Sequence, residues 1–292
     1  MPTARVNGID IWYELSERPG PTLVLTHGFA GPTPHWPPVI DELRVRYRLL
    51  LYDVRGHGRT TAPDAPATYS LPQFAADLAG LLDALGIERP HVGGVSMGGM
   101  VSAQFACDFP DRMRSLLLCD TTAGNRGGPG EPAEVEQQLI EAFVRQEEIV
   151  EEHGMAELVR RAARHRHERD EYAASSGMPM EEQDRRDALK VETMTPRGYV
   201  NVSRAVRERP DLSSRTAEIA VPALVSCGEW DPFYPCAVRD HALIPGSRLA
   251  TVRCAAHDTT TYQPALFLRA VCDFLDDVEA GRDVRGEAEY AP

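Results

Sequence analysis

The chain has 292 residues and a mass of 32.2 kDa, with 42% hydrophobic and 26% charged residues, a formal net charge of −13 and a pI near 5.2. This profile excludes a small disulfide scaffold, a collagen-like chain and a wholly disordered one, and it permits a large core without staples. So negative a field repels phosphate backbones, so neither nucleic acid nor an anionic membrane is an expected partner.

In chain order, Val6–Leu15 reads as an opening pair of antiparallel strands turning at Asn7-Gly8. Thr22–Thr26 (TLVLT) and Tyr47–Val54 (YRLLLYDV) are short apolar runs, as expected of strands buried on both faces. Ser70, Pro72 and Gln73 mark a helix start with an S-x-x-Q capping box. Leu71, Phe74, Leu78, Leu81, Leu82 and Leu85 follow at helical spacing, and Gly86 ends the run. His91–Val95 is the next strand, Met97–Asp108 a helix stopped near Pro110, and Met113–Asp120 another strand.

The rhythm changes after Asp120. Thr121–Gly130 is rich in glycine and small residues, and Glu131 to about Arg209 is helical, charged and acidic. Strand patterns return at Val221–Cys227 and Arg248–Cys254, and Pro264–Val278 is an amphipathic helix. The final GRDVRGEAEYAP is polar and is expected to fray. The alternation predicts an α/β fold: a mostly parallel eight-stranded sheet with helices on both faces and an inserted helical cap. The expected division is a first core part at 1–122, the cap at 123–214, a second core part at 215–280 and a polar tail at 281–292.

No apolar run approaches the ~18 residues that a membrane span needs, and the opening MPTARVNGIDIWYEL lacks a secretory profile. Cys107, Cys119, Cys227, Cys236, Cys254 and Cys272 form no C-x-x-C pair, so they read as reduced thiols of a cytoplasmic protein. Lys190 is the only lysine.

The strongest chemical signal is Gly94-Val95-Ser96-Met97-Gly98, a G-x-S-x-G between a predicted strand and a predicted helix. Such a turn lifts a serine hydroxyl clear of a sheet, and glycines two before and two after relieve the crowding. A serine needs a base to take its proton. His257 follows the Arg248–Cys254 strand and comes after the nucleophile, as the chain order of this arrangement requires. His57 comes too early and is expected to pack a turn; His153, His165 and His167 lie in the acidic insertion and His241 in a helix.

The acid that fixes the imidazole is expected at Asp231, in the loop after Val221–Cys227, with Glu229 and Asp120 as rivals. The oxyanion donors are expected to be the backbone N–H groups of Phe29, in His27-Gly28-Phe29, and of Met97. Trp36 is expected in the pocket floor or against this loop. His165-x-His167 sits among Arg164, Arg166 and Arg169, which repel cations, and the Glu147–Glu152 cluster reads as solvated surface. No metal site is expected. The glycine spacing of Gly93–Gly99 fits neither a phosphate loop nor a dinucleotide fingerprint, so no cofactor is expected.

THGFAG (Thr26–Gly31), YDVRGHGRT (Tyr52–Thr60), GGVSMGGM (Gly93–Met100), CGEWDP (Cys227–Pro232) and CAAHD (Cys254–Asp258) stand in the order seen in the α/β-hydrolase superfamily. Over roughly Arg5–Ala280 the sequence resembles that superfamily, and its central stretch is similar to bacterial 3-oxoadipate enol-lactonases and related lactone or ester hydrolases. It departs from the enol-lactonases in carrying His27-Gly28, and from many relatives in carrying Tyr262 five positions after the histidine.

The resemblance implies a serine hydrolase of carboxylesterase or lactonase type, with a small organic substrate, an acyl-enzyme intermediate and no cofactor. Cofactor-free perhydrolysis and C–C hydrolysis use the same groups and stay open. A ligand-binding receptor or a vestigial site is the reading from a different class, and self-association is open. Dehalogenases and epoxide hydrolases of this superfamily need a carboxylate nucleophile, which Ser96 cannot supply.

Overall fold

A computed structural model of the chain describes residues 2–31, 33, 36, 39–125, 133–167 and 180–292. Residues 126–132 and Arg169 lie outside the described residues, as do the side chains of His165 and His167, so the expectations for them carry no structural account.

Among the described residues, nine strands form one sheet in the order β1-β2-β4-β3-β5-β6-β7-β8-β9. They are β1 (Thr3–Val6), β2 (Ile9–Leu15), β3 (Thr22–Thr26), β4 (Arg48–Tyr52), β5 (His91–Val95), β6 (Ser115–Cys119), β7 (Ala223–Gly228), β8 (Ser247–Val252) and β9 (Gly286–Tyr290). The β1–β2 and β2–β4 pairs are antiparallel and the others parallel. The first hairpin turns at Asn7 (φ 47°) and Gly8 (φ 79°), the left-handed pair that a two-residue turn of this hand requires.

The apolar runs alternate between two cores, because successive strand side chains point to opposite faces. Leu23, Leu25, Leu49, Leu51 and Leu117 pack on one face against Leu43 of α1 (Val39–Arg46). On the same face lie Phe267, Val271, Phe274 and Leu275 of the C-terminal helix Pro264–Glu279. Val24, Leu50, Val92, Leu116 and Leu118 face the other way, toward α2 (Leu71–Ala84) and α3 (Met97–Asp108), which contribute Phe74, Leu78, Leu81, Val101 and Phe105. Each fully buried side chain of this kind contributes about 1.5–3 kcal/mol.

The α2 helix carries the expected stop and half of the expected start. Ile87 N–H donates to Leu82 O (2.9 Å) and Gly86 N–H to Asp83 O (3.2 Å), with Gly86 at φ 63°, a Schellman end. At the start, Ser70 Oγ accepts from Gln73 N–H at 3.2 Å. The capping box is not closed, because the Gln73 side chain donates to Asp77 at 2.9 Å instead. Asp77 is the better target, since it is also the buried partner of Arg55 (Nε–Oδ2 2.7 Å, Nη2–Oδ1 2.8 Å).

Between β6 and β7 the described residues form four α-helices: α4 (Ala133–His153), α5 (Met155–His167), α6 (Met180–Thr193) and α7 (Pro196–Arg207). Glu147 on α4 corrects the expectation of a solvated acidic face. It is buried, accepts from Ser203 Oγ at 2.7 Å and pairs with Arg207 at 3.0 Å, both on α7. Glu148, Glu151 and Glu152 are exposed as expected.

After β7 come α8 (Tyr234–Leu243), the one-turn α9 (Thr259–Tyr262) and α10, the C-terminal helix named above. A second correction concerns the tail. Gly286–Tyr290 is not frayed but is the ninth strand, parallel to β8 from Arg248↔Gly286 to Val252↔Tyr290. Its apolar signal is weak because an edge strand needs few inward side chains, here Ala288 and the buried Tyr290.

Candidate active site

Ser96 stands between β5 and α3 with φ 55° and ψ −119°, a conformation that L side chains rarely adopt. The backbone around it over-determines that geometry. Ser96 N–H donates to Cys119 O (2.9 Å), and Ser96 O accepts from Met100 N–H (3.1 Å) and Thr121 Oγ1 (2.6 Å). The flanking glycines are steric necessities: a Cβ on Gly94 would sit 2.4 Å from Gly98 C, and one on Gly98 would sit 2.0 Å from Thr26 O.

Ser96, His257 and Asp231 come together from three loops at the same sheet edge. Ser96 Oγ lies 3.1 Å from His257 Nε2, and His257 Nδ1 lies 2.9 Å from Asp231 Oδ2. Asp231 Oδ1 accepts from Phe233 N–H at 2.8 Å, so both its oxygens are engaged. Burial opposes charge on the His257 imidazole, but the Asp231 carboxylate, aided by Asp120 and Asp258, pushes its pKa up to about 9. The ring nitrogen facing the serine is thereby a strong base, and the cation it forms is stabilised.

The rival acids are bonded to other groups. Glu229 pairs with Arg253 (2.8 Å) and caps Cys254 N–H (3.2 Å). Asp120, at the end of β6 with φ 48°, is fully buried and accepts from Gly228 N–H (3.2 Å), Thr259 N–H (2.7 Å) and Thr259 Oγ1 (2.8 Å). It ties the acid's strand to the loop just past His257. Burial and the nearby Asp231 charge push its own pKa up to about 7. The donor atoms of Asp120, Cys227 and Asp231 lie within 4.8 Å of one another. Burial pushes the Cys227 thiol well up and both carboxylates are committed to the contacts above, so this group reads as support for the loops rather than a ligand set.

Phe29 and Met97 flank Ser96, and neither backbone N–H donates to another group among the described residues. The loop carrying Phe29 is held by two histidines. His27 Nε2 accepts from Val54 N–H (3.0 Å) with Nδ1 against Gly28 O (2.8 Å), and His57 Nε2 accepts from Ala30 N–H (3.2 Å). His57 thus does more than pack a turn, and its place between the two glycines of Arg55-Gly56-His57-Gly58 is the only sign of this in the sequence. Burial lowers the His27 pKa, which keeps its Nε2 an acceptor. Of the other histidines, His241 bonds Ser247 (2.7 Å) and His153 meets Glu152 at the surface (3.6 Å).

Two cavities meet at Ser96. One, of about 250 Å³, is lined by His27, Gly28, Phe29, Trp36, His257 and Asp258, with Arg186 and Lys190 from α6. Trp36 thus lines the cavity, as the first half of its expectation has it, and packs against the core on its other side. The other, of about 360 Å³, is lined by Met97, Met100, Leu139, Phe143, Val206 and Phe233, and shares Phe29, Ser96 and His257 with the first.

Residues 21–258 match the family model described as the alpha/beta hydrolase fold. The chain belongs to the α/β-hydrolase family. It is 30% identical over 268 residues to a Bacillus subtilis protein provisionally named 2-succinyl-6-hydroxy-2,4-cyclohexadiene-1-carboxylate synthase, covering 88% of this chain and 90% of that one. It is 28% identical over 219 residues to 3-oxoadipate enol-lactonase 1 of Acinetobacter baylyi, covering 73% and 72%. Among solved structures, the enol-lactonase of Burkholderia xenovorans LB400 superposes with a TM-score of 0.76 at 27% identity, over 94% of this chain and all of that one. The expected fold and the enol-lactonase resemblance therefore hold, and the chain is an α/β-fold hydrolase. No helix among the described residues is long and apolar enough to cross a membrane.

Proposed function

We propose that the chain is a serine hydrolase that cleaves an ester or lactone of a small organic substrate (EC 3.1.1) through an acyl-enzyme. The observation that carries this reading is the unbroken relay from Ser96 Oγ through His257 to Asp231 at 3.1 and 2.9 Å. His257 Nε2 takes the Ser96 proton as Oγ attacks the carbonyl carbon. The carbonyl oxygen becomes an oxyanion between the Phe29 and Met97 amides, each such donor typically worth ~3–4 kcal/mol. Collapse breaks the bond to the leaving oxygen, which takes the proton from His257. A water then gives a proton to His257 and attacks the acyl carbon; as the acyl–Oγ bond breaks, His257 returns that proton to Ser96 Oγ and the acid is released.

Helices α4–α7 act as a cap over the two cavities, which favours a discrete small molecule over a polymer. The six cysteines, free of disulfides, suit a reducing compartment such as the cytoplasm. The deciding experiment is brief fluorophosphonate treatment followed by peptide mass spectrometry. A single adduct on Ser96 that disappears in His257→Ala is expected; no adduct on a folded wild-type protein would overturn the reading.

A further inference from the structure

The two chambers that meet at Ser96 differ in chemistry. The larger is walled by apolar side chains, among them Met100, Leu139, Phe143 and Phe233. The smaller is lined by two cations from α6, Arg186 and Lys190, and by one carboxylate, Asp258. Lys190 is the only lysine of a chain with net charge −13.

The cations are held in place. Arg186 Nη1 lies 3.1 Å from Asp258 Oδ2, which fixes the guanidinium beside the loop that carries His257. Lys190 Nζ lies 2.7 Å from Asp187 Oδ1; Asp187 is only 5% exposed and does not line the chamber. The chamber next to Ser96 is thus lined by two cations and one carboxylate in an otherwise acidic molecule. A fixed guanidinium with a neighbouring ammonium is the donor set that matches a carboxylate.

We propose that Arg186 and Lys190 bind a carboxylate of the substrate, so that the protein acts on an anionic ester or lactone whose carbonyl lies at Ser96 and whose apolar arm fills the second chamber. This rests on the reading of Ser96 as nucleophile and narrows it to carboxylate-bearing substrates. The cap supplies both cations, so it selects the substrate while the sheet edge performs the chemistry. Asp258 in the wall and Asp187 behind it keep the cations in register before the substrate arrives.

The test compares mono-p-nitrophenyl glutarate with p-nitrophenyl valerate, two esters of equal chain length of which the first carries a carboxylate. In wild type the ratio of kcat/KM values should favour the glutarate on the order of tenfold, the scale of a charge-assisted hydrogen bond. Added salt should lower the ratio. In Arg186→Gln/Lys190→Met the ratio should fall to about one. The ratio is the readout because loss of the Arg186–Asp258 pair changes both rates together. Lys190→Met alone, which leaves that pair in place, should lower the ratio partway and serves if the double variant does not fold. A wild-type ratio of one or less, or a ratio that the variants leave unchanged, overturns the proposal while leaving the hydrolase intact. If wild type cleaves neither ester, fluorophosphonate labelling of Ser96 decides the hydrolase reading and calorimetry decides the proposal. Glutarate should then bind to Ser96→Ala protein, glutaramide should not, and the α6 substitutions should abolish binding; equal binding of both, or of neither, overturns it.

Discussion

Asp120 and Asp231 follow neighbouring strands and lie within one buried cluster, yet only Asp231 touches the imidazole. Asp120 spends its oxygens on Gly228 and Thr259 instead, one residue on the acid's strand and one just past the base. Two carboxylates so close divide the work: one orients His257, and the other holds the loops that present them.

Substitution separates the two roles. Asp231→Asn should lower kcat/KM by about 10³–10⁴-fold, because the imidazole loses its tautomer and its counter-charge. Asp120→Asn should cost far less. It removes a negative charge that raises the His257 pKa, so the acidic limb of its pH–rate profile should move to lower pH. Steady-state kinetics across pH check both. If Asp120→Asn were the crippling change and Asp231→Asn the mild one, the assignment would be reversed.

The pH dependence of the wild type follows from His257. Its pKa is raised from 6.5 to about 9, and only the neutral ring can accept the Ser96 proton. Thus kcat/KM should still be climbing at neutrality, reach half its maximum near pH 9 and level off only above it. A profile already flat by neutrality would show that the carboxylates do not act on the ring as described.

Arg55 and Asp77 form a buried pair, each side chain 3% exposed, that ties the His57 loop to α2. Removing one partner strands the other charge in the core. Asp77→Ala should therefore destabilise the fold by about 3–5 kcal/mol, read from urea unfolding. Loss of Asp77 also frees the donors of Asn7 and Gln73, which points the same way. A cost below about 1 kcal/mol, the scale of an exposed pair, would contradict this burial.

Gly98 tolerates no side chain, since the Cβ would overlap the Thr26 carbonyl. Gly98→Ala should displace α3 from β3 and abolish fluorophosphonate labelling of Ser96. Gly86→Ala meets no neighbour within 4 Å and should cost only about 1 kcal/mol, for its positive φ. Labelling and thermal melts of the two variants should diverge accordingly.

Features with a local cause were legible in the chain. Gly94 and Gly98 bracket Ser96 because the turn itself forbids side chains there, and TLVLT reads as a two-faced strand from its own composition. Hidden features depend on distant partners. Glu147 looks like surface until Ser203 and Arg207, more than fifty positions later, close over it. His57 looks like punctuation until its ring nitrogen meets the Ala30 amide. Arg186 reads as one more arginine of an acidic helix, and only the fold sets it beside His257.

The ninth strand carries a consequence for the molecule in company. Among the described residues it is the outermost strand on its side, and such an edge could recruit a strand from a second copy. Glu287 and Glu289 stand exposed along that edge, and a copy arriving edge to edge would bring the same pair against them. The strand that completes the sheet therefore also discourages its growth into aggregates.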